Sequence, residues 1–210
     1  MLTLRRCVVG LVAVLLVSGG ALVGLVAVLL VSGGALAQTP TAPKESAEVA
    51  AIRVKANAGD AQAQSTLGMS YLGRGVPQDY AQAASWFRKA AEQGLADAQS
   101  ILGSMSERGW GVPQDYAQAA SWFRKAAEQG LADAQNILGS MSERGWGVPQ
   151  DFVEAHKWLN LAASRASAAY QRTYAETRDA VAKLMTPAQI AEAQRRASEW
   201  LAAFEQRGGT

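Results

Sequence analysis

Two consecutive stretches, Val76–Gly111 and Val112–Gly147, are each 36 residues long and differ at a single position, Ser100 against Asn136. Nothing else in the chain constrains the fold as much, because a period of this length in an alanine-rich sequence is that of stacked helix pairs. One such unit cannot bury its apolar face alone, so the units fold only as an array in which neighbours cover one another. Pro77, Pro113 and Pro149 keep the spacing, as do Trp86, Trp122 and Trp158, which extends the period beyond the two near-identical copies.

Each unit divides into two helices. In the second, Asp79 precedes Gln82 by three positions, and Asp115/Gln118 and Asp151/Glu154 repeat the arrangement, which is the chemistry of a helix N-cap. Behind that cap Tyr80, Ala83, Ala84, Phe87, Ala90 and Ala91 fall at helical spacing and form one apolar stripe. Arg88 and Lys89 sit toward the carboxyl end, where cations suit the helix dipole, and Gly94 and Gly130 supply a left-handed stop. The first helix of the following unit carries Ala98, Ile101, Leu102 and Met105 as its stripe, interrupted by Gly103. A mid-helix glycine costs about 1 kcal/mol relative to alanine. Its return at Gly68 and Gly139 predicts a bulky side chain of the partner helix in that space, with Trp86, Trp122 and Trp158 as the expected occupants. Between the helices, Gly109-Trp110-Gly111-Val112-Pro113 turns tightly and then holds the chain extended before the Asp115 cap.

The amino-terminal segment is of another kind. Residues 1–37 read as an export signal: Arg5 and Arg6, then an apolar core, then Ala35-Leu36-Ala37 before Gln38. The core is itself doubled, since Gly10–Val23 and Gly24–Ala37 agree at thirteen of fourteen positions. Val8–Ala37 therefore runs for 30 uncharged residues, longer than the ~20 that a membrane span requires. Two expectations follow: cleavage near Ala37 and release as a periplasmic or secreted protein, or an uncleaved inner-membrane anchor with the carboxyl terminus outside. The glycine pairs at 19–20 and 33–34 weaken a long helix and favour cleavage. Residues 38–44, with Pro40 and Pro43, read as a flexible spacer.

The string Leu102-Gly103, then Gly109-x-Gly111-Val112-Pro113-x-Asp115-Tyr116, then Ala119, Trp122 and Lys125-Ala126-Ala127-Glu128-Gln129-Gly130, resembles the Sel-one-like repeat, a relative of the tetratricopeptide repeat. The resemblance spans residues 61 to about 163 as three units and implies an all-α, right-handed α-solenoid of helix–turn–helix repeats. Upstream, Glu45–Gly59 looks like the second helix of a degenerate preceding unit, although it has no tryptophan. The expected array is thus about three full repeats plus a half repeat over residues 45–165. A two-helix cap over residues 166–205 closes it, as in bacterial members of this family. In that cap Thr186, Pro187 and Gln189 form a capping box with proline at the first helical position, and Ala191, Ala193, Ala197 and Trp200 are expected to close the stack. The first unit departs from the pattern: it is one residue shorter, keeps Tyr71 where later units have Ser106 and Ser142, and has Arg74 at the place of Trp110.

Chemistry is poorly provided for. Beyond residue 37 there are 18 basic and 18 acidic residues, so the repeat region is neutral and offers no footprint for nucleic acid. Cys7, the single cysteine, precedes the apolar run, and His156 is the single histidine, so no thiol pair and no histidine-based metal site can form. No Gly-x-Ser-x-Gly elbow and no phosphate-cradling loop is present, and Asp79, Asp115 and Asp151 are separated by whole repeats. We expect no enzyme, no cofactor and no metal. A hydrolase of the cell wall or of its antibiotics, an activity to which some disulfide-rich relatives have been linked, is the alternative of a different class, and a membrane-anchored structural protein of the envelope is the third reading.

The resemblance implies instead a scaffold or adaptor of the bacterial cell envelope that binds a protein or peptide, with the membrane involved only if residues 1–37 stay uncleaved. First helices line the inner surface of related solenoids. Ser100, Ser104, Glu107 and Arg108, with their copies Asn136, Ser140, Glu143 and Arg144, are on that basis the expected groove residues. Trp110 and Trp146, each between two glycines, either tuck against the adjacent repeat or stand exposed as an aromatic ladder for a peptide or glycan.

Overall fold

The computed structural model describes residues 46–209; the readings of residues 1–37 and 38–44 lie outside them. Among the described residues the order is α1 (Ala47–Asn57), α2 (Ala61–Tyr71), α3 (Tyr80–Glu92), α4 (Ala96–Arg108), α5 (Tyr116–Glu128), α6 (Ala132–Arg144), α7 (Phe152–Arg165), α8 (Ala168–Ala182) and α9 (Pro187–Gln206), with no strand. None of these helices is long and apolar enough to cross a membrane.

Each helix from α1 to α7 packs on the next along the chain, which makes α2/α3, α4/α5 and α6/α7 three helix-pair units. The caps form where local chemistry puts them: Asp79, Asp115 and Asp151 accept from the backbone amides of Gln82, Gln118 and Glu154 at 2.9–3.0 Å. The second-helix stripe is buried as its spacing requires, with Ala83, Phe87 and Ala90 fully enclosed in α3 and Ala119, Phe123 and Ala126 in α5.

The mid-helix glycines meet phenylalanine and leucine, not tryptophan. A Cβ on Gly68 would lie 3.0 Å from the Phe87 ring, one on Gly103 3.0 Å from Phe123, and one on Gly139 2.7 Å from Leu159. The reason is rotational. Adjacent residues on a helix point about 100° apart, so when Phe87 faces α2 of its own unit, Trp86 must face elsewhere. Trp86 turns back toward the preceding half-unit, clustering with Val49 and Ala56 of α1 as well as with Leu67 of α2 in its own unit. Trp122 packs on the α3–α4 cluster and Trp158 on the α5–α6 cluster in the same manner. The glycines therefore set the spacing within a unit, and the tryptophans join one unit to the one before.

A second joint was not read from the sequence. Gln64, Gln99 and Gln135, buried in the first helices, donate to the carbonyls of Ala56, Ala91 and Ala127 at 3.0–3.1 Å. Each thus caps orphan carbonyls at the end of the preceding second helix. Gln93 and Gln129 add a bond at 2.8 Å to the Gln64 and Gln99 side-chain oxygens. In the third unit Arg165 takes that place; it donates to the Gly130 carbonyl at 3.2 Å, and the Gln135 side-chain oxygen stays buried without a partner.

Both ends of the array are solvated. Aligned on Gly59 and Gly94, α1 carries Ile52 at the place of Phe87, and exposed Glu48 and Lys55 at the places of buried Ala83 and Ala90. A polar outer face of this kind is how a repeat array terminates. At the other end α8 buries only Tyr174 and Val181. Helix α9 then packs along α7, where Trp200 meets Trp158 edge-on at 5.8 Å and Arg165 lies over Phe204 at 4.5 Å. Its Thr186/Gln189 capping box is complete. Ala193 and Ala197 are buried and Trp200 is half-buried, but Ala191 is exposed, because the packed stripe runs 193, 197, 200, 204 and residue 191 lies off it. The residue facing α9 was changed to suit: Lys89 and Lys125 lie over Trp86 and Trp122, whereas the third unit has buried Leu161 at that position.

Candidate functional site

On the first-helix layer Ser100, Ser104 and Glu107 of α4 are spaced by four and three residues and share a face; Asn136, Ser140 and Glu143 repeat this on α6. All six are half-buried, and Arg108 and Arg144 at the helix ends are exposed. A cleft of about 360 Å³ crosses this layer, lined by Ser65 and Met69 of α2, Asp97, Ser100 and Ile101 of α4, and Leu131 and Asp133 at the start of α6. Of the expected groove residues it includes Ser100 alone, and Met69, Asp97 and Ile101 are lining residues that the sequence reading missed. Part of their signal was available: Asp97 and Ile101 fall on Ser100's side of α4 and Met69 stands on α2 at the place of Ser104, but an apolar floor looks like core until its exposure is known. The single difference between the two copies falls on this face, since Asn136 replaces the small Ser100 and its side-chain oxygen is buried without a partner. Across the same layer α8 reaches over with Tyr174, whose hydroxyl donates to Asp133 at 2.7 Å, while Asp97 one unit earlier has no such bond.

Trp110 and Trp146 are each partly tucked against the preceding unit and partly exposed. Trp110 stacks on Tyr80 of the preceding unit, with ring centroids 5.4 Å apart and planes at 28°, and Trp146 meets Tyr116 at 5.7 Å. Yet 40% of Trp110 and 42% of Trp146 stay accessible. The loops that carry them are fixed from below. Gly109 and Gly145 end their helices at φ of 71° and 72°. Gln114 and Gln150 donate to the Glu107 and Glu143 carbonyls at 2.8 Å. Gly111 and Gly147 press on the Tyr80 and Tyr116 backbones. Arg108 lies 4.7 Å from the Trp110 ring centre and Arg144 the same distance from Trp146.

Among the described residues no reactive constellation accompanies these features. Asp79, Asp115 and Asp151 are occupied as caps. Among the described residues no group of three or more His, Cys, Asp or Glu converges as a metal site would require. His156 is buried between α7 and α8, 3% exposed, and its Nδ1 has no partner. Burial, and then the Arg178 guanidinium, hold its pKa below the ordinary 6.5, with Asp179 opposing. An imidazole that binds its proton less well folded than unfolded contributes fully above about pH 6.5 and destabilises the fold as pH falls below it. Urea unfolding at pH 7.5 and 5.5 should therefore show a loss of stability in acid that His156→Gln reduces; an equal loss in both proteins would assign it to other groups.

The fold and these surfaces define a class: a helix-pair solenoid with a cleft across its first helices and aromatic loops at its edge. The Sel1 repeat model matches residues 61–95, 96–131 and 132–167, which are the three units, and the chain belongs to this family. Proteins of the family are in general protein–protein interaction scaffolds. No curated protein matches the sequence. Among solved structures, c5321, a protective antigen of uropathogenic Escherichia coli strains with an SLR fold, is 36% identical at a TM-score of 0.67 over 73% of this chain. The match spans 32%, about a third, of that longer protein. A Sel1 repeat protein from Oxalobacter formigenes is 36% identical at a TM-score of 0.55, over 61% of this chain and 98% of its own.

Proposed function

We propose that this protein is an exported scaffold of the bacterial cell envelope that holds a partner protein along its first-helix face and edge loops. The observation that carries the reading is the cleft across α2, α4 and α6, whose apolar floor of Met69, Ile101 and Leu131 lies between small serines and two aspartates. That mixture suits a peptide segment, with apolar anchors for affinity and polar rims for orientation. Export rests on the basic start, the apolar core and the Ala-Leu-Ala site of residues 1–37. The similarity to a protective antigen fits a location outside the cytoplasm. On this reading residues 38–44 are a spacer, 45–165 the binding array and 166–205 its cap.

Envelope co-purification tests it. The full chain should capture a partner that Ser100→Arg with Ser104→Arg abolishes, while Ser85→Arg with Ser121→Arg, exposed on the second helices, retains it. Equal capture by both variants would remove the first-helix face from the proposal. In the same preparation, mass spectrometry should find Gln38 at the amino terminus; Met1 intact in membranes would favour the anchored form.

A further inference from the structure

Arg108 and Arg144 are the cations that lie on the two accessible loop indoles; Lys89 and Lys125 also lie on indoles, but on Trp86 and Trp122 of the second helices. Arg178, Arg195 and Arg196 are bonded to carboxylates on their own helices, and Arg165 to a carbonyl. Arg108 and Arg144 bond to no acceptor among the described residues, although Glu107 and Glu143 are their chain neighbours and Asp115 and Asp151 begin the helices that follow. Those two aspartates are taken up as helix caps: Asp115 accepts from the Gln118 amide, and Asp151 from the amides of Val153 and Glu154. Each guanidinium lies instead over an indole, 4.7 Å from the ring centre. The indole is held in turn by a tyrosine whose hydroxyl, in the case of Tyr116, accepts from Gln114 at 3.2 Å. A guanidinium lying on an aromatic face keeps its in-plane N–H donors free, and the face limits the side-chain freedom that binding would otherwise remove. The arginine–indole contact recurs one unit later at the same distance, and Arg74 occupies the tryptophan place of the first unit.

Resting on the partner-binding reading above, we propose that this loop edge takes an acidic, extended segment of the partner protein, with one carboxylate gripped by Arg108 and another by Arg144. Planar, fork-shaped donors match a carboxylate bidentately, and such charge-assisted pairs are short and strong. The indole faces of Trp110 and Trp146 back the two forks and shield one side of each from water. The repeat period sets the distance between the grips, so the segment is read by the spacing of its acids as well as by their charge.

Fluorescence anisotropy of a labelled glutamate-rich peptide, titrated with the full chain, tests this. The peptide should bind saturably, and a copy with glutamine for each glutamate should bind about tenfold more weakly or worse, the range expected when hydrogen bonds to a charged group are lost. Arg108→Gln with Arg144→Gln should lose the same factor while helicity and melting stay unchanged. Arg88→Gln with Arg124→Gln, exposed cations of the second helices, should leave binding as it was. Equal binding of the glutamine peptide, or an equal loss in the Arg88/Arg124 protein, would overturn the proposal. So would preference for polyphosphate or phosphatidylglycerol vesicles over the peptide, since either would show an unspecific anion surface. Envelope capture that survives while the acidic peptide fails would sink this inference alone and leave the scaffold reading intact.

Discussion

Gly111→Ala should destabilise the protein by about 3 kcal/mol or more, one of the largest effects of any single methyl group in the chain. The added Cβ would fall on the Tyr80 carbonyl and the Ala81 amide, which are backbone atoms that no rotamer change can move. The residue also sits at φ 69°, where an L side chain costs roughly 1–2 kcal/mol by itself. To relieve the clash the loop must lift from the start of α3 and take Trp110 off Tyr80. Gly147→Ala should behave alike, because its Cβ would meet Tyr116 in the same way. Gly94→Ala separates the two causes. Its φ is 91°, but nothing lies within 4 Å of the added methyl, so only the conformational cost of roughly 1–2 kcal/mol remains. Urea unfolding followed by circular dichroism measures all three. If Gly94→Ala and Gly111→Ala lose the same amount, the close approach of loop and helix is not what makes glycine necessary at 111.

Excision of residues 96–131 should leave a folded protein. The cut removes α4 and α5 and joins Leu95 to Ala132, where the sequence Gly94-Leu95-Ala-Asp-Ala-Gln is restored without a change. The α3–α4 and α5–α6 contacts are made by the same residues except at 100 and 136, so α6 can dock on α3 as α4 did. The cap is served equally well. Lys89, Glu92, Gln93 and Gly94 would stand in for Lys125, Glu128, Gln129 and Gly130 beside α9, and Gln64 for Gln99. Repeat arrays gain stability from each unit and each interface, so the shortened chain should unfold cooperatively but at lower urea. Its m-value should fall by about a fifth, in proportion to the residues removed. Removing only residues 96–113, half a unit, would place one second helix after another and should abolish folding. If both deletions behave alike, the 36-residue unit is not the unit of stability.

The Asp79, Asp115 and Asp151 caps, the glycine stops and the Thr186/Gln189 box were legible because each depends on atoms a few residues apart. The groove residues were legible only in part. Ser100 lies in the cleft, but Ile101 read as core, since helical spacing marks a face as apolar without saying whether another helix covers it. Trp110 and Trp146 could be placed in the loops, yet the tyrosines beneath them lie 30 positions earlier in the chain, too far for local chemistry to reveal.

A stack of helix pairs, the starts of its second helices and the start of α9 were written in the residues themselves, because period, capping and glycine turns act within one unit. The tertiary structure alone decided that Phe87, Phe123 and Leu159, rather than the adjoining tryptophans, lie against Gly68, Gly103 and Gly139. It decided too that α9 runs along α7, and that Arg108 and Arg144 rest on indoles instead of pairing with the acids beside them. Neighbouring residues on a helix differ by about 100° in direction, and only the packing of separate helices fixes which of those directions faces inward.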